Sequence, residues 1–429
     1  MEKTKPKIAL LHYTYPPVIG GVEIIVHEQA NLFVNYGYSP TVFAGEGRSD
    51  NPKIPLIEIS EFKPLSVLDP RVNEKINNSI QFPQEFYQLK EKISQKIDQH
   101  FKNIDIVIAH NILSLNLNPC LSLALIDYFK KNPDKKLISW IHDPVIFLKN
   151  GQIVKKTFIN KQLENLVYEP IKGIYYVAIS NSLKEILVTL IGYPEKIITV
   201  IPNGINIQKF LDLDPVTCQI YCQYYLSQAD LLIFLPSKIL KHKNIDLTIK
   251  VFAEILKQRK NSVLIISGKK NPHSKNVDYV NQVLQLIKDL KLENNIIFLV
   301  DEMKKLGVDY NFHIVKDFYQ LSDVVLFLSG QENFGLPIIE AGLVKTMVIS
   351  SSLKIFKEIA SSNLKTIDIY HNSPEKIAQI LLNAVDHNSQ IKLLQKIRKE
   401  YDFKTIFKNK IIPYIINIFK NNENCSPLL

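Results

Sequence analysis

Two glutamates eight positions apart, Glu332 and Glu340, flank a run of Asn333, Phe334, Gly335, Leu336 and Pro337 in the last third of the chain. Their carboxylates can accept hydrogen bonds from vicinal hydroxyls. The glycine–proline turn between them marks a helix start, continued by Ala341-Gly342. The preceding stretch, Asp323 to Ser329, is an apolar run of the type that forms a buried parallel strand. Strand, loop and helix N-terminus in that order leave the N–H groups of Phe334, Gly335 and Leu336 free to hold an anion. Carboxylates beside an anion site suit a ligand that carries both phosphate and hydroxyls, such as a nucleotide sugar. A solvated surface loop can show the same two glutamates, so the pair alone is weak.

Other residues supply complementary chemistry. Lys238 and Lys243 follow the apolar stretch 231–235, five positions apart, where a strand-to-helix loop aims both ammonium groups at one phosphate pair. Gly20 and Gly21 stand between the expected first strand and first helix, where backbone without a Cβ can approach a ligand closely. His110 follows the apolar run 104–109, and His142, with Asp143 beside it, follows 137–141. Both histidines therefore sit at strand C-termini, where a hydrogen-bonded structural role is the commoner alternative. Asp212-Leu213-Asp214 has a metal–diphosphate spacing but follows no apolar strand. It reads as solvated acids, and no metal is expected because lysines and helix N-termini already face the diphosphate. Cys218 and Cys222 fall one helical turn apart with no further ligand to complete a zinc set.

These groups need a scaffold. The chain has 429 residues, 46% hydrophobic and 22% charged, which is enough for two domains with separate cores. Its formal charge is +10, and beyond residue 205 there are 29 basic against 22 acidic residues. No arginine cluster or RNA-binding aromatic motif accompanies that charge, which argues against nucleic acid. Four scattered cysteines, the absence of an apolar N-terminal segment and of any run near the roughly 18 residues that span a bilayer lead to the expectation of a cytoplasmic protein. Contact with the inner face of a membrane stays open through the basic, aromatic C-terminal stretch.

Apolar strand runs at 8–13, 41–44, 104–109, 137–141, 175–179 and 197–201 alternate with helical spacing at 22–36, 85–101, 121–130 and 183–191. A second series has strands at 231–235, 262–267, 296–299, 324–328 and 346–349, with helices at 245–258, 277–290, 315–321 and 337–343. Two βαβ series predict two Rossmann-like α/β domains facing each other across a cleft, with ligands at the C-terminal strand ends. The expected boundaries are 1–205, a linker at 206–229, 230–400, and a C-terminal helix at 401–429 interrupted at Pro413 and packing back across the domains.

Five separated segments, in order, resemble retaining glycosyltransferases of family 4 with the GT-B fold. They are Tyr15 to Glu23, Ala178 to Ser182, Val200 to Asn206, Ser237-Lys238 through Asp246, and Glu332 to Glu340. The resemblance implies metal-independent transfer of a hexose from a nucleoside-diphosphate sugar to an acceptor hydroxyl, with no cofactor. It implies that the leaving diphosphate helps take the acceptor's proton, so that the protein's task is charge stabilisation. It places Lys238, Lys243, Glu332, Asn333, Phe334, Gly335, Leu336 and Glu340 on the donor, with Glu332 on the sugar and Glu340 on the ribose. Gly20 and Gly21 join them, His110, Lys243 and Glu332 are the catalytic residues, and His142 and Asp143 lie on the acceptor side. The chain departs from the family at Lys238, where arginine is usual, at Asn206, and at Ser352 to Glu358, which replace a glycine-rich loop. Rival readings are a nucleotide-sugar epimerase on the same fold and a non-catalytic scaffold in glycan assembly. Donor sugar, base, acceptor and oligomeric state are not legible.

Overall fold

Strongly apolar four- to seven-residue runs bury both faces of a strand, and here they form two all-parallel sheets. The computed structural model describes residues 5–269 and 277–420; Cys425 and the end of the expected C-terminal segment lie outside the described residues. The chain divides into two compact units, one built from residues 1–204 with the stretch from Ile406 onward, the other from Ile205–Thr405.

The first unit holds β1 (Ile8–Thr14), β2 (Thr41–Glu46), β3 (Leu56–Glu58), β4 (Ile106–His110), β5 (Lys136–Ile141), β8 (Tyr175–Ala178) and β9 (Ile198–Val200) in the order β3-β2-β1-β4-β5-β8-β9. A separate antiparallel hairpin comprises β6 (Ile146–Lys149) and β7 (Gln152–Lys155). The chain winds outward from β1 in one direction and from β4 in the other, so the order reverses between these two strands. The second unit repeats the scheme with β10 (Leu232–Leu235), β11 (Val263–Ile266), β12 (Ile296–Phe298), β13 (Val324–Phe327), β14 (Met347–Ser351) and β15 (Lys365–Ile367), in the order β12-β11-β10-β13-β14-β15. Its reversal falls between β10 and β13. Crevices at the carboxyl ends of such reversal points are where open α/β sheets bind ligands. Both units are Rossmann-like, as expected.

Where the elements differ from expectation, the reason is local. The strands β3 and β15 have three residues each, and β6–β7 carries mixed polarity, so none gives a readable periodicity. The segment 206–229 is not a linker. It forms the helices Ile207–Phe210 and Pro215–Gln223, and Ile207, Leu213, Ile220, Tyr221 and Leu226 are buried in the second unit's core. Pro215 starts a helix rather than breaking one, because its missing N–H falls at a position with no intrahelical partner. Asp214 caps that helix by accepting from the Val216 N–H at 2.8 Å, which makes the Asp212-Leu213-Asp214 spacing structural. Pro413 likewise does not end its helix. A π turn, Phe407–Ile411, leads into the helix Ile412–Lys420, and such a turn absorbs the lost proline N–H. Phe407 packs its ring against Phe33 at 4.8 Å, inside the first unit.

At the amino ends of β10 and β13, Arg398 donates to both carboxylate oxygens of Asp323, at 3.1 and 2.9 Å. Both residues are almost fully buried, and Asp323 also accepts the Leu232 N–H at 2.7 Å. The pair ties the helical segment at 389–401 to the two central strands, on the end of the sheet opposite the candidate site.

Candidate functional site

In the second unit the loop after β10 carries Lys238 and Lys243. The helix Ile245–Gln258 begins at Asn244, whose left-handed backbone turns the chain into it. Three bonds staple this loop to the end of β13: the Gly330 N–H to His242 O at 2.7 Å, the Ser329 hydroxyl to His242 O at 3.2 Å, and the Asn244 amide to Leu328 O at 2.9 Å. The stapling brings Lys243 against Glu332 in an ion pair, with Lys243 also 5.4 Å above the Phe327 ring. The two side chains are only 17% and 12% exposed.

Glu340 has a different partner. It sits in the helix Leu336–Leu343, which has no side-chain cap and begins after Gly335 at φ +110°. The Tyr319 hydroxyl donates to its carboxylate at 2.5 Å. Burial first, and then the Glu340 charge, push the Tyr319 phenol far up, so it is a neutral donor. One carboxylate is thus neutralised by a cation and the other fixed by a phenol.

A cavity of about 810 Å³ opens at the carboxyl ends of these strands, and Lys238, Ser267, Tyr310, Tyr319 and Glu340 lie on its wall. Lys304 and Asp309 also line it. Lys238 is exposed toward it, whereas Lys243 and Glu332 lie outside its lining. Of the loop residues expected on the donor, Leu336 lines the cavity, Asn333 and Phe334 are exposed, and Gly335 is buried. Ser267, Tyr310 and Tyr319 were not foreseen, because nothing in their local spacing distinguishes them from helix and loop residues elsewhere. Gly268 was also missed: a Cβ there would lie 2.7 Å from Ser237 O and 3.1 Å from the Lys238 Cα.

In the first unit four titratable side chains gather where the sheet reverses. His12, near the end of β1, contacts His110 O through Nδ1 at 2.9 Å. A carbonyl only accepts, so that nitrogen carries the proton. Its Nε2 lies 3.8 Å from Glu23, which also accepts the Thr14 hydroxyl at 2.6 Å. His110 Nδ1 meets His142 Nε2 at 3.0 Å, and the Asn203 amide reaches His142 Nδ1 at 3.3 Å. Asn111 accepts the His142 and Asp143 N–H groups at 2.8 and 3.0 Å and donates to the Asp143 carboxylate at 2.9 Å.

Burial, then the neighbouring His142 and His12, hold His110 well below its ordinary range. Burial and His12 depress His142 to about 3. Both imidazoles are therefore neutral near pH 7. Glu23 is lowered to about 2, chiefly by its contact with His12 and secondarily by Thr14. Gly21 is open, and Gly20 presses its Cα against the Glu23 carboxylate, where any Cβ would fall 2.0 Å from an oxygen. Sequence reasoning passed over His12 and gave Glu23 no role beyond its motif. His110 is fully enclosed at 0% exposure, behind His142 at 8%. Among the described residues, no group of three or more His, Cys, Asp or Glu is arranged to hold a metal ion.

The family model "Glycosyltransferase Family 4" matches residues 19–209, and "Glycosyl transferases group 1" matches residues 225–401. The chain is 27% identical over 375 residues to the mannosylglucosylglycerate synthase of Petrotoga mobilis, covering 82% of this chain and 84% of that protein. It is 27% identical over 208 residues to an uncharacterized glycosyltransferase of Methanocaldococcus jannaschii, covering 47% and 48%. Among solved structures, a glycosyltransferase from Rickettsia africae aligns at 21% identity and TM-score 0.35, covering 97% of this chain and 99% of that one. Anabaena HepE in complex with UDP and glucose aligns at 18% and 0.34, covering 96% and 100%. Superpositions this loose carry no argument of their own.

Proposed function

We propose that this chain, whose two halves match the family models of glycosyltransferase family 4 and of the group 1 glycosyl transferases, transfers a hexose, with retention at the anomeric carbon and without a metal ion, from a nucleoside-diphosphate sugar to an acceptor hydroxyl. The cavity of about 810 Å³ carries this reading, because it joins a cation, Lys238, to a carboxylate fixed for hydroxyls, Glu340. The nucleoside diphosphate occupies that cavity with its ribose on Glu340. Lys243 and Glu332, held beside it by the stapled loop, meet the diphosphate and the sugar. The bond from anomeric carbon to phosphate oxygen breaks with its electron pair left on the diphosphate, where the lysines and the uncapped start of the helix Leu336–Leu343 stabilise it. The acceptor oxygen bonds to the same face of the carbon, and its proton passes to the departing phosphate oxygen.

In the first unit, ligand contact falls to His142 and a supporting role to His110, because His110 is closed off from solvent. The name of the Petrotoga relative supports a hexose as the transferred sugar and a small glycoside as the acceptor.

Thermal unfolding with UDP, GDP, ADP and TDP, each in Mg²⁺ and again in EDTA, tests the donor. A ligand at 100 times its dissociation constant adds about 2.7 kcal/mol. A rise with one nucleotide, unchanged by EDTA and absent in Glu340→Ala, is the expected result. Product analysis with the matching nucleotide sugar then separates transfer, which needs an acceptor, from epimerisation, which does not. Absence of a rise with any nucleotide would remove the catalytic reading.

A further inference from the structure

The hairpin of β6 and β7 begins three residues after Asp143 and is not bonded into the seven-stranded sheet of its unit. Two-stranded hairpins need another surface to be stable in water. This one packs on its own unit through Ile146, yet leaves other apolar side chains facing solvent: Phe147 is 46% exposed, Leu148 71% and Ile153 44%. Leu148 and Ile153 stand directly opposite each other, and Phe147 lies on the other face with Val154. Ile159 (59%) follows the hairpin, and the bond from the Phe82 N–H to Gln162 at 3.0 Å brings the loop bearing Ile80 (74%) alongside.

Within the hairpin and the residues that follow it, the charged side chains are lysines. From residue 144 to 163 the chain holds four lysines and no acid. Lys155 is occupied by Ile191 O at 3.1 Å and Lys161 by Glu164 at 2.8 Å. Lys149, at the turn, is exposed, as is Lys156, whose ammonium lies 5.2 Å from the Phe158 ring centre.

We propose that this lysine-flanked hairpin is a membrane-contact element, which seats Phe147, Leu148 and Ile153 at the interface of an anionic lipid bilayer with Lys149 and Lys156 among the headgroups. Exposed apolar patches rimmed by charge mark docking surfaces, and cations beside apolar tips match an anionic interface. A second copy of the chain is the poorer occupant, because a two-fold contact would set the same lysines against each other. The inference concerns where the protein sits and does not depend on the proposed reaction.

Co-sedimentation of the full chain with vesicles decides it, using phosphatidylcholine alone and phosphatidylcholine mixed with phosphatidylglycerol. Binding to the mixed vesicles that weakens with added salt is expected. The double variant Phe147→Ser/Leu148→Ser should reduce partitioning at least tenfold. Lys149→Ser/Lys156→Ser should reduce it about fivefold per lysine at low salt. Thermal unfolding matching the parent shows that each variant is folded. Failure to bind anionic vesicles overturns the proposal, as does binding that neither variant weakens. A concentration-dependent dimer abolished by Phe147→Ser/Leu148→Ser would instead identify a second copy as the occupant and overturn it as well.

Discussion

Glu332 holds Lys243 in an ion pair, which the diphosphate of the proposed donor would share or break. Removing the carboxylate lifts both that competition and its repulsion of the phosphates, while removing the ammonium deletes the attraction. Glu332→Gln should therefore bind the nucleoside diphosphate as tightly as the parent or more so, while Lys243→Ala binds it at least tenfold more weakly, about 1.4 kcal/mol. Calorimetric titration checks both, and equal losses would show that Glu332 holds the nucleotide rather than the sugar. The histidine cluster predicts acid sensitivity. Between about 3 and the ordinary 6.5, unfolded His142 takes a proton that the folded form refuses, so stability rises with pH across that window. Glu23 acts in the same direction lower down. It is ionised in the fold to about 2, so its contribution is complete above the ordinary 4.5 and lost as pH falls toward 2. The unfolding midpoint should drop steadily from pH 7 to pH 4, and His142→Asn should flatten that slope.

Two glycines shape the backbone around the cavity proposed for the nucleotide: Gly268 on its wall and Gly335 just before Leu336. Gly335 turns the chain at φ +110° into the helix that carries Glu340, and a Cβ there would lie 2.8 Å from the Phe356 ring. Gly335→Ala should cost about 1–3 kcal/mol in stability from backbone strain, with further loss from the contact. Gly268 has an ordinary backbone but abuts Ser237 O, so Gly268→Ala must displace the loop that bears Lys238. Its expected signature is weaker nucleotide binding with a smaller change in melting temperature, read by titration and thermal unfolding of the same sample. Only the Gly335 turn was legible beforehand, through the helix start it announces. The need for glycine at 268 arises from a neighbouring strand's loop and leaves no local mark. The segment 206–229 shows the converse, where Pro215 suggests a linker while Asp214 and the proline together begin a buried helix.

At the level of the whole chain, the division into units makes a fragment experiment informative. Residues 205–405 contain the whole cavity proposed for the nucleotide and their own core, so that piece should fold alone and show the same thermal shift with nucleotide as the full chain. The piece 1–204 lacks the returning segment, whose Phe407 packs on Phe33. It should melt well below the same piece supplemented with residues 406–420, as circular dichroism would record. No helix among the described residues is long and apolar enough to cross a membrane.

Sequence alone determined the two series of buried strands, the helices between them, and the loops that carry Lys238, Lys243, Glu332, Glu340, His110 and His142. Strand and helix periodicity and apolar run length are local properties, written within a dozen residues. Which of those side chains meet was decided by the tertiary structure. Lys243 and Glu332 are 89 positions apart, and His12 reaches the carbonyl of a residue 98 positions away. Strand order and parallel register create those encounters, and neither is encoded in any one segment. The same long-range geometry closed His110 behind His142, gave Glu340 its tyrosine, and gathered His12 and Glu23 into the cluster.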